Sequence, residues 1–395
     1  MKRHKYVKIF FLFLFFCTVF PSLSRASEII KREEIDIDES LSEQIDMYSS
    51  PKAIYISQFN GFNSKLNDNP REWIKLLYYY SVTRLNLNDI PYNYLIDPSG
   101  NIYEGAKGGI GINPGIENGE NIILVGIMDS SSTLSPRASN TLKIFVEDMS
   151  AKYGISEGNW ELVDLQIRKG EDSLSTLKWV KSNRLIYNSI SFALKDVKWS
   201  EKVGLQYSAS IASVEYEKEV VIGKRLDVVV KIKNENDFTW FGDLDYIYLS
   251  TKDSAPSPHA INETWESFSK PTYIKEKFIK AGDSAQISFQ LDVKRKPGKY
   301  RETFYFMLSP EVGLDNSSFD VEFSIVKGDN KLVEVSSPQY GYVNIRDCRW
   351  YSCKVVEVAN EGDVFITTSR VDGWYEIIYG ENKKGWIVQR FAKEI

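Results

Sequence analysis

Asp89-Ile90-Pro91-Tyr92-Asn93-Tyr94-Leu95-Ile96, continued by Asp97-Pro98-Ser99-Gly100 and Asn101-Ile102-Tyr103-Glu104-Gly105, reads as strand, tight turn, strand. Pro98 presets one turn dihedral and Gly100 takes the position that needs positive φ. Working outward, Ala53-Ile54-Tyr55-Ile56 and Ile122 to Ile127 are continuous apolar runs, as expected of strands buried on both faces. Between them, Glu72 to Leu85 carries Trp73, Leu76, Leu77, Tyr80 and Val82 near helical spacing, with Pro70 close to its start. Pro136 opens a second helix with Leu142, Phe145, Val146 and Met149 on one face. This order predicts an α/β region over residues 52–193, a mixed sheet flanked by helices.

The central stretch, with the strand and helix that follow it, resembles the core signature of peptidoglycan recognition proteins and the related zinc-dependent N-acetylmuramoyl-L-alanine amidases. The resemblance implies a ligand groove and a zinc ion held by three protein ligands, with a fourth position activating water. It places the first ligand, a His, at Ser57; the second, also a His, near Gln166; and the third, a Cys or Asp, near Ser173, with Asp172 adjacent. The region contains no His, so the family's zinc is expected to find no site and no cofactor is expected. Tyr92 matches the tyrosine that in the active enzymes polarises the substrate carbonyl. Ser57, Gln58, Tyr92, Asn93, Tyr94 and Asn113 match groove positions, Asn113 standing where relatives have a substrate-contacting His. Gly108-Gly109-Ile110-Gly111 lacks the Lys-Ser/Thr of a phosphate loop and reads as a groove-edge loop.

The remainder of the 395 residues changes rhythm. Over 208–326, short alternating strands such as Val228 to Lys233 and Ile287 to Val293 are separated by Gly, Asn and Pro turns, a β-sandwich pattern. Asn234-Glu235-Asn236 with Phe238-Thr239-Trp240, and the Pro297-Gly298 turn, resemble an immunoglobulin-like module. Trp240 reads as core before it reads as a ligand platform. Over 332–395, Val343 to Arg346, Lys354-Val355-Val356, Gly373 to Ile377 and Gly385-Trp386-Ile387 resemble a bacterial Src-homology-3-like barrel, a module often attached to wall enzymes. The expected fold class is therefore multidomain: an α/β amidase-like region, an all-β sandwich and a small all-β barrel.

At the N-terminus, Lys2, Arg3, Lys5 and Lys8 precede an apolar core from Ile9 to Phe20, shorter than the roughly 20 residues that span a bilayer. With Ser24-Arg25-Ala26 behind it, residues 1–26 read as a signal peptide cleaved after Ala26; an uncleaved anchor is the alternative and the one route to membrane attachment. Residues 27–51 are acidic and read as a solvated spacer. An exported location permits a disulfide between Cys348 and Cys353, which with His259 are all that remain of the Cys and His residues after the signal. A net charge of -5 without a basic stripe argues against nucleic acid as a partner.

Three functions follow from these readings. The leading one is a secreted or envelope-associated pseudo-enzyme that binds peptidoglycan or muropeptide. The second is an active amidase with an atypical site using Asp164, Glu171 or Asp172. The third is an adaptor that binds other cell-wall proteins and regulates wall enzymes.

Overall fold

The computed structural model of the chain describes residues 29–42, 45, 47–58, 69–169, 175–199, 205–309, 312–380 and 382–395. No described helix is long and apolar enough to cross a membrane. The signal sequence and Ser173 fall outside the described residues.

The first region is built on a seven-stranded sheet. In chain order its elements are β1 (Ile29–Ile30), α1 (Arg32–Ile35), β2 (Ala53–Gln58), α2 (Pro70–Arg84), β3 (Tyr94–Ile96), β4 (Ile102–Glu104), β5 (Ile122–Ile127), α3 (Pro136–Tyr153), β6 (Trp160–Lys169), β7 (Ser175–Lys181) and α4 (Tyr187–Leu194). The sheet order is β1-β4-β3-β5-β2-β6-β7. β3, β5, β2 and β6 run parallel; β4 and β7 return antiparallel beside them. Every residue of β5 is buried, as its continuous apolar run requires in a strand covered on both faces. Local capping starts both long helices. Asn69 accepts from the Glu72 amide at 3.5 Å ahead of Pro70, and Ser135 Oγ accepts from the Ala138 amide at 3.1 Å ahead of Pro136. The apolar face expected of α2 is turned: Ile74 and Tyr78 are buried, whereas Leu76 and Tyr80 are at least half exposed. α2 packs Ile74 and Tyr78 on the sheet face that carries Tyr92, Leu95, Leu124 and Trp179. α3 and α4 cover the other face.

Residues 27–51 do not form a solvated spacer where they are described. β1 extends the sheet parallel to β4, pairing Ile29 with Ile102 and Ile30 with Tyr103. Ile35 is buried, and Ile45 packs with Ala106 and Ile112. The acidic average conceals isoleucines spaced to reach the core, and it conceals Arg32, whose guanidinium is only 2% exposed. Arg32 Nη1 donates to Asp89 Oδ1 at 3.1 Å and to the Gly105 carbonyl, while Nε donates to Glu39 at 3.1 Å.

The second region contains two main sheets that share a core. One is β14-β10-β8, from β8 (Ala209–Tyr216), β10 (Arg225–Asn234) and β14 (Ser284–Asp292); the other is β12-β15-β17-β9, from β9 (Glu219–Val221), β12 (Ile247–Thr251), β15 (Gly298–Leu308) and β17 (Phe319–Val326), with the short β16 (Val312–Gly313) paired to β15. β10 and β14 alternate buried and open residues, sending Val228, Val230, Ile287 and Phe289 inward against Phe304 and Val321. The short ribbon β11 (Trp240–Phe241) with β13 (Phe278–Ile279) reaches back to the first region. There Phe241 meets Tyr153 edge-on at 5.9 Å, and Phe278 stacks on Tyr48 at 4.1 Å. Trp240 is core, its indole N–H donating to Asn236 Oδ1 at 3.0 Å.

The third region is one antiparallel sheet in the order β20-β19-β23-β22-β21-β18-β24, from β18 (Leu332–Val335), β19 (Tyr342–Arg346), β20 (Val355–Asn360), β21 (Val364–Val371), β22 (Trp374–Tyr379), β23 (Lys383–Val388) and β24 (Ala392–Glu394). Cys348 and Cys353 are joined as a disulfide across the loop between β19 and β20. The Val364 amide donates to the Lys294 carbonyl at 2.9 Å, tying the second and third regions together.

Candidate functional site

Ser57 ends β2 one residue before its last, level with Gly126 of β5. Tyr92 enters β3 from the same face and reaches beneath β5, so that its hydroxyl donates to Ser57 Oγ at 3.5 Å. Trp179 of β7 lies against the phenol ring at 5.5 Å. The pair is enclosed: Ser57 is 2% exposed and Tyr92 4%. Burial pushes the Tyr92 phenol well above its ordinary pKa, opposed by the Ser57 hydrogen bond and by the charge of Arg184, so the group stays neutral. Arg184 follows β7 and sets its Nε 2.7 Å from Asp164 Oδ1. Asp164 was legible as a candidate carboxylate. Arg184 and Trp179 were not, because neither lies in a recognisable motif and only the hairpin of β6 and β7 brings them to this end of the sheet.

The other expected groove residues are divided among different places. A bend at Asn93 turns Tyr94 to the opposite face from Tyr92, where its ring meets Phe145 edge-on at 5.1 Å. Gln58 also leaves the Ser57 face, its amide donating to the carbonyls of Asp129 at 2.9 Å and Ser131 at 2.6 Å. Asn93 bridges strand and loop: Nδ2 donates to Gly109 O at 2.8 Å, and Oδ1 accepts from the Leu124 amide at 2.7 Å. Asn113 closes its own turn, accepting from the Gly115 and Ile116 amides at 3.1 and 2.9 Å. All four are buried and hold backbone or core in place. Ser57 with Tyr92 is a contact between two of the six candidate residues that joins β2 to the entry of β3 at the expected site.

The glycine loop packs against other parts of the chain. Gly111, at φ 87°, lets the ring of Phe241 and the Ser49 carbonyl approach where a side chain would stand, so the loop is a docking surface for the second region and the N-terminal segment.

Two of the three positions that the resemblance assigns to zinc are described, and neither carries a usual zinc donor. Ser57 offers a hydroxyl already engaged by Tyr92, and Gln166, exposed on β6 and engaged elsewhere, offers a neutral amide. Tight zinc sites use imidazole, thiolate and carboxylate. Among the described residues, the cluster of potential metal ligands is Asp347 with Cys348 and Cys353, whose sulfurs are spent in the disulfide.

A concavity of about 210 Å³ opens on the third region. Tyr351 from the disulfide loop stands 5.2 Å from Trp374, and the Arg390 guanidinium lies 5.7 Å above Tyr351. Cys353 accepts from Arg346 Nη1 at 2.6 Å, so the disulfide loop also fixes an arginine on the wall.

No family model matches the chain, and no curated protein matches it. Among solved structures it is similar to Drosophila peptidoglycan recognition protein SD, at 18% identity and TM-score 0.30, over 34% of this chain and 81% of that one. It is similar to PGRP-Hd from Alvinella pompejana at 20% identity and TM-score 0.30, over 35% and 86%. It is similar also to human PGRP-IBETAC, solved in complex with glycosamyl muramyl pentapeptide, at 17% identity and TM-score 0.28, over 34% and 81%. The structural neighbours named here are thus peptidoglycan recognition proteins, at low identity over about a third of the chain.

Proposed function

We propose that this chain is an exported, non-catalytic cell-wall protein that binds peptidoglycan or muropeptide through residues 52–193, with an immunoglobulin-like second region and a Src-homology-3-like third region as accessory modules. The observation that carries the reading is the contact between Ser57 and Tyr92. Where the family resemblance calls for the first metal-binding imidazole, a buried hydroxyl is committed to a protein partner. Asp164 is drawn to Arg184 at 2.7 Å, so its carboxylate is already engaged by a cation. Ligand binding needs shape and hydrogen bonds rather than a metal, and it survives the loss of one. Ser57 and Tyr92 then serve as the floor of the site rather than as ligand contacts.

Co-sedimentation of the mature chain with purified insoluble peptidoglycan, combined with an assay for amino groups released from muropeptides, tests this. Binding without release is expected. No binding, or zinc-dependent release that a chelator abolishes, overturns it.

A further inference from the structure

A cleft of about 590 Å³ lies between the second and third regions, well within the size of small-ligand sites and at the kind of junction where they form. One wall comes from the second region, through Ile261 and the ends of β10 and β14; the other comes from β19, β20 and β23. The walls are held in register. Asp363, fully buried, lies 3.7 Å from Lys294 Nζ and 3.6 Å from Arg295 Nη1, and Lys296 pairs with Glu334 at 2.8 Å. Its floor is apolar, from buried Ile261, Val364 and Phe365.

The charges around this floor are unevenly satisfied. Glu263 faces Arg225 at 3.5 Å, Asp292 faces Lys294 at 3.3 Å, and Glu357 accepts from the Val358 amide at 3.1 Å. Lys383, exposed on the third region, has no carboxylate partner among the described residues, whereas Arg295 on the second region is engaged by Asp363 and by the Glu361 carbonyl at 3.4 Å. The lining therefore leaves Lys383 as its cationic donor open to solvent. Beside it, β20 is the edge of its sheet, with Val358 42% exposed and its amide donating to the neighbouring Glu357 side chain. An open edge of this kind accepts an extended chain by backbone pairing.

We propose that this cleft binds a short extended peptide presenting a carboxylate, the backbone lying along β20 and the carboxylate against Lys383. The site is independent of the wall-binding reading of the first region. Apolar side chains of the peptide cover Val358 and Phe365, and the anion pairs with the Lys383 ammonium.

The test uses the mature chain and three probes followed by calorimetry: an acetylated alanine-valine tetrapeptide with a free carboxylate, the same peptide amidated, and inorganic phosphate. Saturable binding of the free-carboxylate peptide is expected, with the amide weaker by about tenfold and phosphate weaker still. Lys383→Glu, an exposed position whose change leaves the core untouched, is expected to weaken the peptide by about tenfold. Lys231→Glu, on the outer face of β10, leaves it unchanged, and unaltered melting of both variants certifies their folding. Equal binding of peptide and amide, binding of phosphate as tight as the peptide, or indifference to Lys383→Glu each overturns the proposal.

Discussion

Replacing Arg32 with Met removes a charge that is 2% exposed from beside a carboxylate, Asp89, that is 0% exposed, so solvent screening relieves almost none of the loss. Breaking a buried pair from one side costs about 3–5 kcal/mol because the remaining ion is stranded. Asp89 keeps two backbone donors, Ile90 at 2.7 Å and Lys107 at 2.8 Å, which places the expected cost near the lower limit, about 3 kcal/mol. Urea denaturation of the first region, followed by Trp fluorescence at pH 8, measures it. Burial already pushes the Asp89 carboxyl above its ordinary value despite Arg32. Without Arg32 that push is unopposed. A carboxyl whose folded pKa is raised loses stability as pH rises through that pKa, so the variant's deficit is larger at pH 8 than at pH 5. Asp89→Asn in the same chain removes the stranded charge and recovers part of the loss. A cost below about 1 kcal/mol, or one that is equal at both pH values, would refute the stranded-ion argument.

Three further outcomes are expected. Replacing Cys348 and Cys353 with Ser lowers the stability of the third region by about 2 kcal/mol, and thiol labelling of the native, unreduced protein finds neither cysteine. His259 is buried with Nδ1 2.8 Å from the Asp292 carbonyl, and burial lowers its pKa; the unfolded chain therefore binds more protons on acidification, and stability falls as pH drops below about 6.5. His259→Asn, which keeps a donor for that carbonyl, flattens this limb of the melting profile. Ser57→His combined with Gln166→His raises zinc affinity measured by competition with a chromogenic chelator if the two positions converge; an unchanged affinity shows that they do not.

Local signals carried much of the architecture. Ile122 to Ile127 is buried along its full length, and Pro136 begins α3 behind a serine cap, because both are decided within a few residues. The alternation of Val228 to Lys233 likewise fixed which side chains of β10 enter the core. Decisions made by distant partners were hidden. The isoleucines and Arg32 of the N-terminal segment find their places only when β4 and Asp89 are assembled, so acidic composition misrepresents them. The turned face of α2 was set by the sheet beneath it. At the candidate site, Ser57 and Tyr92 were legible as a pair from the family pattern. The bend at Asn93, which sends Tyr94 to the other face, was not, since strict alternation would keep Tyr92 and Tyr94 together.

Phe241 seated at Gly111, Phe278 on Tyr48 and the amide of Val364 on Lys294 make the chain a fixed gauge rather than beads on a string. Flexible tandem binders tolerate many spacings between their targets, because the linker searches for the second one. A gauge gains from a second contact only where the targets repeat at its own interval, and elsewhere it gains nothing. If the chain binds a wall as proposed, its selectivity is for the periodicity of that surface as much as for the chemistry of any single ligand.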